Sequence, residues 1–139
     1  MAKVILKDAS ITVNSVDLST RCDSVTIEDS AEEQDVTTFQ GNGYREFAQG
    51  LKDATITASF FQDFASGSVH STLNALYQSG NTFPVVVKGD DASVGAENPS
   101  FTMTARLYSY SPLSGSVGEP SKIEATFRNA DDGIAVAIA

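Results

Sequence analysis

Tryptophan is absent from these 139 residues, and histidine and cysteine occur once each. A lone Cys22 closes no internal disulfide, so the fold must stand on packing; a reducing compartment fits this. One His and one Cys fall short of the three or four nitrogen and sulfur ligands of a zinc site. Any Ser-His-Asp or Cys-His set would have to use His70, and no serine lies in a G-x-S-x-G context. The glycine-rich stretches at 41–43 and 114–118 lack a following G-K-[ST], so neither is a phosphate cradle. The carboxylates of "DSAEEQD" miss the register of an EF-hand loop. The expectation is no catalytic residues, no metal and no cofactor.

Long apolar runs are missing too. None approaches the roughly 20 residues that cross a bilayer, so no membrane partner is expected. In "MAKVILKDASITV" the early apolar stretch is broken by Lys7 and Asp8, which reads as no signal peptide. Basic residues are scarce: 9 against 18 acids, a net charge of -9. Such a surface repels nucleic acid, whose affinity for proteins comes largely from Lys/Arg–phosphate contacts. Between Cys22 and Tyr44 stand Asp23, Glu28, Asp29, Glu32, Glu33 and Asp35, with no Lys or Arg. Two readings are open: a solvated acidic strand and loop, or a face that keeps a polyanion from sticking.

What is present is 41% hydrophobic residues, enough for one globular domain over 1–139. Period-two alternation dominates. Ala54, Ile56, Ala58 and Phe60 share one face, with Thr55, Thr57 and Ser59 opposite. Phe101, Met103, Ala105 and Leu107 alternate with Thr102, Thr104, Arg106 and Tyr108. Ile123, Ala125 and Phe127 alternate with Lys122, Glu124, Thr126 and Arg128, and Val25 and Ile27 with Thr26 and Glu28. "TFPVVVKG" is a β-branched strand, and "ASITVNSVDLS" reads as two short strands around an Asn14-Ser15 turn.

One segment has helical period: Val69, Leu73, Leu76 and Tyr77 form a stripe. Ser66 or Ser68 can cap its start and Gly80 its end. His70 falls off the stripe and reads as a surface residue. Residues 88–100 and 111–121 are polar loops. The tail "DDGIAVAIA" is either a final strand that pairs with a neighbour or a frayed end. The pattern predicts a mainly β fold: an antiparallel β-sandwich or barrel with one flanking α-helix. The polar strand faces, rich in Thr and Ser, are either solvent-exposed or the lining of a channel.

At "TTFQGNGYREFAQGLKDATITASFFQDF" the chain resembles the tail-tube (major tail) proteins of phages with long non-contractile tails. "SITVNSVDLS" resembles their N-terminal hairpin, and the helix, "FPVVVKG" and "SPLSGSVGEPSKIEATF" follow in the family's order. The resemblance covers most of the chain. It implies a structural virion protein of the tail, assembled in the host cytoplasm as homo-hexameric rings stacked into a hollow tube. Tape-measure and tail-terminator proteins would be partners, and DNA only passing cargo. The short chain implies a bare tube domain.

The resemblance also implies site residues. The loop at 40–50 would reach an adjoining subunit or ring, burying Phe39, Tyr44 and Phe47, with Arg45 and Leu51 beside them. The lumen would be lined by Thr26, Glu28, Thr55, Thr57 and Ser59, with Thr102, Thr104, Glu124 and Thr126 from later strands. Two other classes remain: an acidic β-sandwich binding module (capsid decoration or adhesin), and a secretion-system tube protein.

Overall fold

A computed structural model describes residues 6–90 and 92–138. The leader reading bears partly on residues 1–5, which lie outside that range. Seven strands and one helix run β1 (Ser10–Val13), β2 (Val16–Asp17), β3 (Cys22–Asp35), β4 (Phe47–Phe61), α1 (Val69–Ser79), β5 (Phe83–Lys88), β6 (Ser100–Leu107) and β7 (Lys122–Ala137). Every pairing is antiparallel, and the strands form one hydrogen-bonded sheet in the order β2-β1-β5-β6-β7-β4-β3.

That order forces the sheet to roll. A flat seven-stranded sheet would hold its outer strands about 29 Å apart, six spacings of about 4.8 Å. Yet β2 and β3, the two ends of the order, are joined only by residues 18–21. Five Cα steps from Asp17 to Cys22 reach about 18 Å at most. The sheet therefore curls until its edges approach, an open barrel. A shallow cleft between Leu6, Ser10 and Ile11 on one side and Cys22, Ser24 and Val25 on the other marks where they meet.

The concave face is the core. The alternating residues of β4, β6 and β7 foreseen above are inside, except Phe101, which is only half-buried, and they are joined by Ile11, Val13, Phe83, Val85 and Val87. Phe83 and Phe127 meet edge to face with ring centroids 5.8 Å apart, an arrangement the ring quadrupoles favour. Helix α1 packs over β6 through Val69, Thr72, Leu73 and Leu76. Tyr77 was expected on this stripe but is 40% exposed, and Thr72 takes the buried place. Gly80 ends the helix in the left-handed conformation (φ 68°), its N–H donating to the Leu76 carbonyl. Ser68 stands at the N-cap, but its hydroxyl donates to Asp63 Oδ2 at 2.8 Å instead of capping.

The Asn14-Ser15 turn has φ of 49° and 68°, the double positive φ of a two-residue hairpin. The tail is the continuation of β7, pairing Ile134–Ala137 with Ser100–Met103 of the same chain. Between those pairs and Asn129↔Ala105, β7 spends five steps against two on β6. The Asn129 side chain holds this bulge. Its Oδ1 accepts the N–H of Asp131 (3.1 Å) and of Gly133 (2.9 Å), and Gly133 takes φ 83°.

Candidate assembly surfaces

Strands β3 and β4 outrun the sheet. Beyond Thr55, β4 leaves β7 and pairs only with β3, so residues 29–35 and 47–54 form a two-stranded ribbon closed by residues 36–46. Past Ala54 the ribbon buries no residue on either face. Such a ribbon is marginal alone, because two strands without a covered face have little to offset their ordering entropy.

Local hydrogen bonds shape the ribbon's end. The Val36 N–H donates to the Glu46 carbonyl (2.9 Å), and the Glu46 N–H to Thr37 Oγ1 (2.8 Å). The Tyr44 N–H donates to the Gly41 carbonyl (3.0 Å), with Asn42 and Gly43 at φ 56° and 83°. The Thr37 hydroxyl and N–H hold the Asp35 carboxyl below its usual range. One irregularity bends the ribbon: β4 spends three steps from Gln49 to Lys52 while β3 spends two from Ala31 to Glu33. Gly50 sits at this bulge, where a Cβ would come within 2.9 Å of Gln34 Cγ. Glycine there lets the exposed Gln34 side chain lie close across the strand.

The loop residues foreseen from the sequence all lie on this ribbon, and all are exposed. Phe39 is 104% exposed, Tyr44 78%, Leu51 77% and Phe47 51%. Val36, not foreseen, joins them. Five large, mostly apolar side chains on one projecting arm exceed the scattered exposure of an ordinary surface.

The second surface is the convex face of the sheet. All nine polar-face residues foreseen lie on it, in cross-strand rows. Thr26, Thr57 and Thr126 stand side by side; so do Ser24, Ser59 and Glu124. A third row runs Glu28, Thr55, Arg128, Arg106 across β3, β4, β7 and β6. Thr102 and Thr104 continue the face on β6, beside Val86 and Pro84 of β5. Arg128 pairs with Asp53 at 2.9 Å. Lys122 pairs with Asp23 and lies 5.7 Å from the centroid of the Phe61 ring. A cleft of about 240 Å³ opens where β4 and β7 part, edged by Asp29, Asp53, Asp131 and Asp132 with Lys52.

A third cluster was not foreseen. His70 is half-buried, not a surface residue: its Nδ1 lies 2.8 Å from the Tyr110 hydroxyl and its ring 5.0 Å from that of Phe64. The Gln62 amide donates to the same hydroxyl at 3.0 Å and to the Pro112 carbonyl. These contacts pin the 108–121 loop to the helix. Periodicity could not find them, because it reports the face toward the sheet and not the face a distant loop covers. Asp63 anchors the same corner; the Ala65 N–H, the Ser68 hydroxyl and Arg21 bring its pKa down to about 2. Cys22 is half-buried and its thiol pKa is raised, chiefly by that burial. Among the described residues no group of three or more His, Cys, Asp or Glu is placed to hold a metal ion, and no helix is long and apolar enough to cross a membrane.

No protein-family model matches the chain, and no curated relative does. Solved structures do match. A chain from the tail of an empty gene transfer agent particle, refined helically with C6 symmetry, superposes with a TM-score of 0.66 at 18% identity, over 86% of this chain and 82% of that one. The SPP1 tail tube gives 0.72 at 12% identity, over 99% and 81%. A chain of the sheath-tube complex of PVC, an extracellular contractile injection system, gives 0.73 at 12% identity, over 99% and 93%. At these identities the likeness is one of fold: a mainly antiparallel sheet with one helix, shared with chains of tubular tail assemblies.

Proposed function

We propose that this protein is the repeating subunit of a hollow tail tube, a structural component of a virion tail with no catalytic role. One observation carries the reading: the β3–β4 ribbon has no core of its own and displays Phe39, Tyr44, Phe47 and Leu51 to solvent. A second copy supplies the missing cover. Aromatic side chains in this setting are the favoured anchors of an interface.

The sheet supports the same reading. β3 is a 14-residue edge strand with open backbone groups along its far side. Proteins that remain monomeric blunt such edges; ring closure with identical copies removes them. Six copies per ring fit the C6 symmetry of the gene transfer agent tail. Rings then stack head to tail, a contact that propagates as a filament, with the ribbon loop and Arg45 reaching the adjoining ring or subunit. Tape-measure and terminator proteins would set the tube's length and end.

The convex face lines the bore. Its hydroxyl rows, with Glu28 and Glu124, hold water and give the DNA phosphates no continuous basic track. Screening over about 8 Å limits repulsion to the wall itself. DNA is thus cargo and not a bound ligand.

A tube in a contractile system is the second reading, favoured by the likeness to the PVC sheath-tube complex. Negative-stain microscopy of concentrated protein tests the shared claim: hollow tubes or rings are expected. A dispersed monomer at every concentration refutes it and favours a binding module. Adding a sheath protein separates the two tubes, since only the contractile type recruits one.

A further inference from the structure

We propose that Arg106 forms an ion pair with Glu28 of a second copy, closing each ring along the bore. This rests on the tube reading and names the contact that joins its subunits.

The row Glu28–Thr55–Arg128–Arg106 has an acid at one end and two guanidiniums at the other. Arg128 and Arg106 face each other directly across β7 and β6, where like charges repel. Arg128 is neutralised by Asp53. Arg106 is not: its Nε is buried and has no hydrogen-bond partner among the described residues. The buried Nε lies beyond the reach of another chain, but the half-buried guanidinium carries a charge that no carboxylate among the described residues balances, and a carboxylate of a second copy would neutralise it.

β5 pairs with β6 only as far as Phe83↔Ala105, so β6 has no strand neighbour on that side at Arg106. At the opposite end of the row, Glu28 lies on the edge strand β3, exposed and without an ion pair among the described residues. Along the polar face of β3, between Ser24 and Ser30, it is the one carboxylate; Asp29 alternates to the other face, and Asp23, in the bulge before Ser24, is paired with Lys122. Copies set head to tail around a ring bring the acidic end of one row against the basic end of the next. Six such junctions make a closed belt of alternating charge, and the arginines that would otherwise grip DNA are neutralised.

The test uses Cys22→Ser protein carrying Glu28→Cys and Arg106→Cys. Within one chain these positions lie three strand spacings apart, about 14 Å, beyond the roughly 7 Å reach of a disulfide. Oxidising assembled tubes is therefore expected to give covalent oligomers up to the closed ring on a non-reducing gel, while each single-cysteine variant gives none. In parallel, Arg106→Glu or Glu28→Arg alone raises the critical concentration for assembly about tenfold or more, and the combined reversal restores it. Tubes that form without cross-linking, with no rescue in the reversed pair, overturn the contact and leave the tube reading intact. Arg106→Gln tubes that assemble as wild type but hold DNA less well overturn it in favour of a phosphate partner. Failure of the unsubstituted protein to form tubes refutes the tube reading, and the pairing falls with it.

Discussion

Replacing Tyr44 and Phe47 together by alanine separates folding from assembly. Tyr44 is 78% exposed and Phe47 51% exposed in the single chain. With about 200 Å² per aromatic side chain, the areas open to a neighbour are about 160 and 100 Å². At about 25 cal/mol per Å², burying both completely would contribute about 6.5 kcal/mol, which is a ceiling. Interfaces realise less, because ordering the loop and desolvating its polar neighbours offset part of the gain. Half the ceiling, about 3 kcal/mol, raises the critical concentration about a hundredfold. Neither side chain touches the core, so monomer stability changes by no more than about 0.5 kcal/mol. Urea denaturation reads the monomer's stability and sedimentation of polymer reads the critical concentration. A variant that polymerises at the wild-type concentration refutes the ribbon as an interface. A variant whose monomer unfolds at much lower urea refutes the claim that the ribbon stands outside the folded core.

Phe127→Ala reverses that pattern. Phe127 is fully buried against Phe83, and its loss is expected to destabilise the monomer by about 3–5 kcal/mol, seen as an earlier urea midpoint. Asp63 contributes a defined pH dependence. Its pKa is depressed from 3.8 to about 2, so its stabilisation is complete above pH about 4 and is lost as pH falls toward 2. Circular dichroism of Asp63→Asn should show a flatter acid-unfolding profile in that window; an unchanged profile contradicts the Ala65, Ser68 and Arg21 bonds. Thr57→Lys, amid the hydroxyl rows, should leave tubes intact and slow DNA release from virions, and unaltered release kinetics would count against this face as the lumen.

The sequence by itself determined every element whose two faces meet different surroundings. Ala54 to Phe60, Ile123 to Phe127 and the stripe through Leu73 carry a period because one side is apolar core and the other is water. The Asn14-Ser15 hairpin and the Gly80 stop were legible because positive φ favours few residue types. The exposed aromatics were noticed for the complementary reason: nothing near them in the chain could cover them.

Only the tertiary structure decided what depends on register. Residues 29–35 and 47–53 are strand, yet both faces are wet, so no alternation announces them. The rolling of the sheet follows from joining its two outer strands through residues 18–21, a fact of strand order that local pattern does not contain. Bulges on β4 and β7 set which side chains stand in each row, and thereby place Arg106 opposite Arg128 with Glu28 at the far end. Period two tells a residue which face it is on; only hydrogen-bonded pairing tells it which neighbour it has.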